Sequence, residues 1–420
     1  MGRPALTALL ESVNTLFTVQ ALSLFQVAKV GGLGASDAPG PPAATTEATV
    51  FSYEARAQQQ LDLVSRLRQQ VEGLFNISDV QTTDQGEGVV FIGQLLLNAE
   101  AAYSALRERF RSLGYTPVLR REGNNDIVVA HRGVFAAVRF NPLINLVLLL
   151  ATLFTTLLAG ASFAGVNAYG ILFHAWNIGN FSAVLPALWA GLPFAGTLLF
   201  ILGVHEMGHY VAARLHGVNV TLPYFIPVPF LGLGTFGAFI QMKSPVENRK
   251  ALFDVGVAGP LAGFVVAVPL MVIGLLQSHV VARTGLGFGS SLLLRALAAI
   301  FLPHAADQAI ALSPMAIAAW FGLLVTAINL LPMGQLDGGH VTYAVLGRLS
   351  RPVALVTFGI LVILGLTVWN GWLVWALFAL ITGLQHPQPL NDITPLDWGR
   401  RLVGLFTLGL FCLLITPRPF

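Results

Sequence analysis

Two histidines and a glutamate stand in an otherwise apolar stretch, FILGVHEMGHYVAARLHGV, from Phe200 to Val218. An ionisable side chain at bilayer depth costs about 2.5 kcal/mol or more, so residues of this kind mark function. His205 and His209 are four positions apart and share one face of a helix, so both imidazoles reach a single metal ion. Nitrogen donors suit zinc, which in catalytic sites takes three protein ligands and keeps a fourth position for water. The pattern predicts one zinc ion per chain. Such an ion acidifies its water, and Glu206 would take the proton and later deliver it to a leaving amine.

The third ligand should come from another span. NLLPMGQLDGGH, Asn329 to His340, offers Asp337 as a carboxylate between a broken helix and two glycines. Pro332 and Gly334 should end that helix, leaving irregular backbone tolerated at membrane depth only where it is buried in protein or lines a cavity. Gly338 and Gly339 should let the chain turn beside a bulky centre. Asn329 could donate to a developing oxyanion, whereas His340 reads as a structural neighbour of the site rather than a ligand.

These residues need a membrane scaffold, and the composition supplies one. Of 420 residues, 55% are hydrophobic and 10% charged, with a mean hydropathy of +0.72. Soluble domains carry about 25% charged residues, so this chain could not cover itself with a polar surface. Seven windows reach or approach spanning length: Leu143–Phe163, Pro186–Ala212, Ala251–Gln277, Pro314–Leu331, Pro352–Trp369, Gly371–Leu384 and Leu402–Thr416. Gly170–Phe181 could add an interfacial piece. Arg132, Arg139, Arg214, Lys243, Arg249, Lys250, Arg348, Arg351, Arg400 and Arg401 fall in alternate connections, which puts the N-terminal region on the cytoplasmic side. The net charge of +3 is scattered beside apolar spans rather than gathered in a stripe, which excludes nucleic acid as a partner. The partners to expect are the lipid bilayer and transmembrane proteins. Cys412 reads as a small apolar side chain, and the first 30 residues lack a clean cleavage site, so no signal peptide is expected.

Residues 1–50 read as an N-terminal segment with a Gly/Pro/Ala/Thr-rich linker, and residues 51–140 as a small soluble α+β domain of two helices and about four strands. Residues 141–420 read as the transmembrane domain. The fold class is therefore mainly α: a polytopic membrane protein of about seven transmembrane helices, a membrane-embedded β-like hairpin or loop, and the soluble α+β domain.

HEMGH with a distant NLLPMGQLDGG resembles the site-2 protease family of intramembrane zinc metalloproteases, whose pattern is H-E-x-x-H plus N-x-x-P-x-x-x-x-D-G. The resemblance covers about Asn141 to Pro395. It implies His205, His209 and Asp337 as zinc ligands, Glu206 as the catalytic acid/base, and hydrolysis of peptide bonds within or near transmembrane segments. The stretch between two spans, Pro223–Pro245, is similar to the family's membrane-embedded strand or loop. That likeness implies a substrate-holding role for Gly234, Thr235, Phe236, Gly237 and Ala238, where an extended peptide could add as an edge strand. Asp254–Phe264, DVGVAGPLAGF, has small residues spaced for tight helix packing. The connections are too short for the PDZ or CBS insertions of many family members. The N-terminal α+β extension, the GQLDGGH wording and the tail His386–Arg401 resemble the cyanobacterial and plastid branch. The expected setting is a bacterial inner membrane or a similar bilayer.

Two rivals use the same residues. A metal-ion transporter or sensor would need the ligands without hydrolysis, but no repeated halves are visible and it has no use for a glutamate placed as a base. A silent scaffold would have been free to lose the ligand set.

Overall fold

The structure is a computed structural model that describes residues 47–83, 88–135, 141–229, 232–282, 288–305 and 308–419, with backbone alone for 47–57. The expected N-terminal linker, up to residue 46, lies outside the described residues. The chain divides into two compact units, Met1–Arg66 and Leu67–Phe420. In the first, the described part is helical backbone, with an Asp62–Arg66 ion pair one turn apart on its surface. It belongs to α1 (Glu47–Val71), which runs across the division.

The second unit opens with an antiparallel sheet of β1 (Phe75–Thr82), β2 (Gly88–Leu95), β3 (Tyr115–Glu122) and β4 (Asn125–Arg132), in the order β1-β2-β4-β3. Alternation puts Val89, Phe91, Leu119, Val128 and Ala130 on the buried face. Helix α2 (Ala99–Ser112) is capped by Asn98, which accepts from the Ala101 N–H at 2.9 Å, and it buries Ala102, Leu106 and Phe110.

Beyond residue 141 the chain is chiefly helical: α3 (Pro142–Phe163), α4 (Ala168–Ile178), α5 (Val184–Ala190), α6 (Leu192–Leu215), α7 (Arg249–Leu276), α8 (Leu292–Phe301), α9 (Pro314–Asn329), α10 (Asp337–Leu346), α11 (Ser350–Thr367), α12 (Gly371–Thr382) and α13 (Trp398–Leu414). Two antiparallel strand pairs interrupt them: the hairpin of β5 (Tyr224–Val228) with β6 (Gly234–Phe239), and β7 (His279–Ala282) with β8 (Gln308–Ala311), which pair across the intervening α8. Helices α6, α7 and α9 pack on one another around a core that includes Ile201, Leu202, Met271, Ala318, Leu323 and Ala327.

Among the described residues, three helical stretches are long and apolar enough to cross a membrane: Pro142–Phe163, Arg249–Leu276 and Asp337–Thr367. A fourth exists if α5 and α6, bent by 56°, make one span. Each of the seven expected windows overlaps a helix, but α9, with 16 residues, is about 24 Å long at 1.5 Å per residue. It stops at Asn329 because the following loop must turn beside the site described below. Trp372 is fully buried and donates from its indole to the Pro417 carbonyl at 2.7 Å.

The tail between α12 and α13 ties the small sheet to the helices. Leu119 on β3 donates to the Leu390 carbonyl at 2.7 Å and accepts from the Asp392 N–H at 3.2 Å. On its other side the tail donates from Leu390 to Val246 (3.0 Å) and from Asn391 to Glu247 (2.6 Å).

Candidate active site

Helix α6 carries HEMGH with His205, Glu206 and His209 all buried. The i and i+4 positions bring the two imidazoles together, Nε2 to Nε2 at 3.1 Å. Asp337, the first residue of α10, completes a triangle: its Oδ2 lies 3.3 Å from His205 Nε2 and 3.2 Å from His209 Nε2. Among the described residues this is the one group of three His, Cys, Asp or Glu donors close enough to share a metal ion.

Three lone pairs facing one another in a buried site repel unless a cation sits among them. The tautomer of His209 is fixed, since its Nδ1 lies 2.7 Å from the Val255 carbonyl, which can only accept, so Nε2 is left as a free donor atom for metal. Two imidazole nitrogens and a carboxylate oxygen suit zinc, and donors about 2.05 Å from a tetrahedral zinc stand about 3.3 Å apart, the size of this triangle. The residues present therefore fit the ion.

The small residues of α7 are what let the helices meet. A Cβ on Gly259 would stand 2.0 Å from His209 Nε2, and one on Gly263 would stand 3.1 Å from His205 Nδ1. The packing expected of DVGVAGPLAGF is thus packing onto the ligands themselves. The loop from Leu330 to Leu336 is irregular, as its proline and glycines require, and Asp337 follows it directly. Gly338 and Gly339 do not turn the chain; they lie in the first turn of α10, where Cβ atoms would stand 2.1 Å from the Leu330 carbonyl oxygen and 2.3 Å from that of Gly334. They make room for the folded-back loop.

Asn329, the last residue of α9, brings its Nδ2 to 3.4 Å from His205 Nε2. The backbone of Ile240, immediately after β6, lies beside the Glu206 carboxylate. Gly234–Ala238 make up most of β6, with Thr235 buried, Phe236 61% exposed, and β6 paired on one side alone, with β5, among the described residues. His340 keeps its Nδ1 on the Leu336 carbonyl at 2.9 Å and meets the ring of His386 at 4.5 Å, so it does not join the triangle. Two further histidines have partners: His386 packs on His340, and His216 Nε2 lies 2.8 Å from Asp254 Oδ2. Their partners are too distant in the chain for periodicity to reveal.

Residues 193–368, which include every residue of the triangle, match the model of peptidase family M50. Over those residues the chain is similar to peptidase family M50. It is 38% identical over 249 residues to the probable zinc metalloprotease EGY1, chloroplastic, of Arabidopsis thaliana, covering 56% of this chain and 44% of that protein. It is 32% identical over 378 residues to the corresponding EGY1 of Oryza sativa subsp. japonica, covering 80% of this chain and 63% of that protein. It is also 35% identical over 248 residues, 56% of this chain and 43% of the relative, to the probable zinc metalloprotease EGY2, chloroplastic, of Arabidopsis thaliana. The chain thus spans less than two thirds of the length of these curated relatives. No solved structure matches it. The apolar helices fit a membrane protein, and the donor set fits a zinc ion.

Proposed function

We propose that this chain is an intramembrane zinc endopeptidase that cuts peptide bonds within or near transmembrane segments of other membrane proteins. The observation that carries the reading is the 3.1–3.3 Å triangle of His205, His209 and Asp337, drawn from two separate helices, with Glu206 beside it. His205, His209 and Asp337 would hold the zinc ion. Bound there, zinc supplies a Lewis acid that makes a water molecule acidic near neutral pH. Glu206 takes a proton from the attacking water as its oxygen bonds to the peptide carbonyl carbon, and returns that proton to the nitrogen as the C–N bond breaks. Asn329 Nδ2 donates to the oxygen that gains negative charge. The open edge of β6, Gly234–Ala238, holds the substrate extended, which matters because a peptide bond inside a helix is shielded from attack.

We read residues 1–50 as the leading segment, 51–140 as an α+β domain on the positive, cytoplasmic side of the bilayer, and 141–420 as the seven-span protease domain. The bent α5–α6 pair and the three shorter helices α9, α12 and α13 then complete the count, the short ones by local bilayer thinning or burial against neighbours.

Replacing Glu206 with Gln tests the reading. In proteoliposomes the variant should keep one zinc per chain by elemental analysis and lose cleavage of a single-span reporter by about a thousandfold or more. Cleavage at the original rate would remove Glu206 as the base. Zinc flux into the vesicles that depended on His205, without any cleavage, would make the chain a transporter.

A further inference from the structure

On the face of α6 away from the triangle, a groove of about 420 Å³ runs between α3, α6 and the start of β5. Asn145, Leu146 and Leu149 line one wall, Gly203 and Met207 the other, and Phe225 the floor. Two features set it apart from an ordinary seam between helices.

The first is Asn145, which is 6% exposed. Its Nδ2 donates to the carbonyls of Leu222 (2.8 Å) and Pro223 (2.9 Å). Both partners can only accept, so the nitrogen must point at them, and the oxygen is fixed by default. That Oδ1 is buried and meets no donor among the described residues. A buried acceptor left unpaired is costly, so a group bearing N–H or O–H belongs beside it. The second is Gly203. A Cβ built there would meet only the Phe225 ring at 3.9 Å. Glycine is a poor residue for a helix interior, and no neighbour requires it here. What it does is keep the groove open.

We propose that this groove docks the frayed or unwound start of a substrate's transmembrane helix, with Asn145 Oδ1 accepting from a free backbone N–H. This rests on the protease reading above and names a substrate subsite for it. A lipid acyl chain has no donor, and the interior of an intact helix has all its N–H groups paired; the first four N–H groups of a helix do not. The groove also lies close to the candidate base. Gly203 and Met207 lie on either side of Glu206 along α6, and Phe225 pairs with Ala238, at the same end of the hairpin as Ile240, whose backbone lies beside Glu206. A helix end seated here would leave the following residues beside that end of the hairpin and near the base.

The experiment uses the full chain with Glu206→Gln, so that nothing is cut, in phosphatidylcholine vesicles with a biotinylated Leu/Ala-rich single-span peptide. A benzophenone amino acid replaces either Leu146, in the groove, or Val147, which is 56% exposed on the same helix. Peptide labelling at position 146 should exceed that at 147 by about fivefold or more, and Gly203→Leu should lower it about tenfold while zinc content holds. N-methylating the first-turn amides of the peptide, which removes the donors without touching the protein, should lower labelling about threefold or more. Equal labelling at 146 and 147, or labelling at 146 by a photoreactive lipid and not by the peptide, overturns the site. An N-methylated peptide labelled as strongly as its parent overturns the role of Asn145. Cleavage of the same peptide by the unmutated chain is scored separately, so a protease without this subsite and a groove without protease activity are told apart.

Discussion

The ligand triangle and the polar tail are assembled in opposite ways. Around His205, His209 and Asp337 the chain removes side chains: Gly259 and Gly263 on α7, and Gly338 and Gly339 on α10, let backbones and rings approach where any Cβ would collide. Around the tail the chain adds charge. Asp254 takes two hydrogen bonds from Arg400, at 2.7 and 2.6 Å, and faces His216. Asp392 takes one from Arg249 at 2.9 Å and one from the Tyr343 hydroxyl at 3.0 Å. The first region fixes donor atoms by excluding alternatives, so it should fail abruptly. The second holds pieces together through several partly exposed bonds, so it should weaken by degrees.

The largest expected effect follows from filling the first region. Gly259→Val puts a branched side chain where the His209 ring now lies, and the ring must leave the triangle. Zinc affinity should fall by about a hundredfold or more, measured by competition with a chelator, although His205, His209 and Asp337 are all intact. Gly263→Ala, whose Cβ would stand 3.1 Å from His205 Nδ1, should fall by about tenfold at most. Equal and small losses in both would mean that α7 yields readily, and the contrast with the tail would disappear.

In the second region, Arg400→Ala should lower stability by about 1 kcal/mol, because both partners are roughly a quarter to a third exposed and solvent screens the pair. Zinc content should not change. A calorimetric scan in detergent checks the first expectation and elemental analysis the second; loss of zinc would show that the tail network reaches the ligands.

This contrast also separates what a reader of the sequence can see from what only the fold reveals. HEMGH and NLLPMGQLDGGH are local patterns, and their meaning rests on helix period and on the cost of charge in a membrane. The structure brings these two distant stretches within 3.3 Å of each other. The sheet and α2 of the small α+β part rest on signals of the same local kind, alternation and a cap written within a few residues. The tail was not. His386–Arg401 is noticeable as wording, but the partners of Leu390, Asp392 and Arg400 lie far away in the chain, on β3, α7 and α10. The glycines of α10 were visible and misread as a turn, because what crowds them is the carbonyls of a loop folded back from Leu330 to Gly334. Glycine signals closeness without saying to what.

The smallest expected effect concerns pH. His386 lies in the tail, outside the spans, and burial holds its imidazole pKa well below the ordinary value, with the ring of His340 acting in the same direction. In the unfolded chain it titrates near about 6.5. Below that pH the unfolded chain takes up a proton that the folded chain refuses, so stability falls as pH drops through about 6.5 and rises as pH increases. His386→Phe keeps an aromatic ring against His340 and Tyr343 and removes the proton uptake. Between pH 7.5 and 5.5 the variant should lose less thermal stability than the parent, the difference in slope corresponding to about one proton. A parent and variant with the same pH slope would mean that His386 is protonated in the folded chain, and that the tail opens to water beside the triangle.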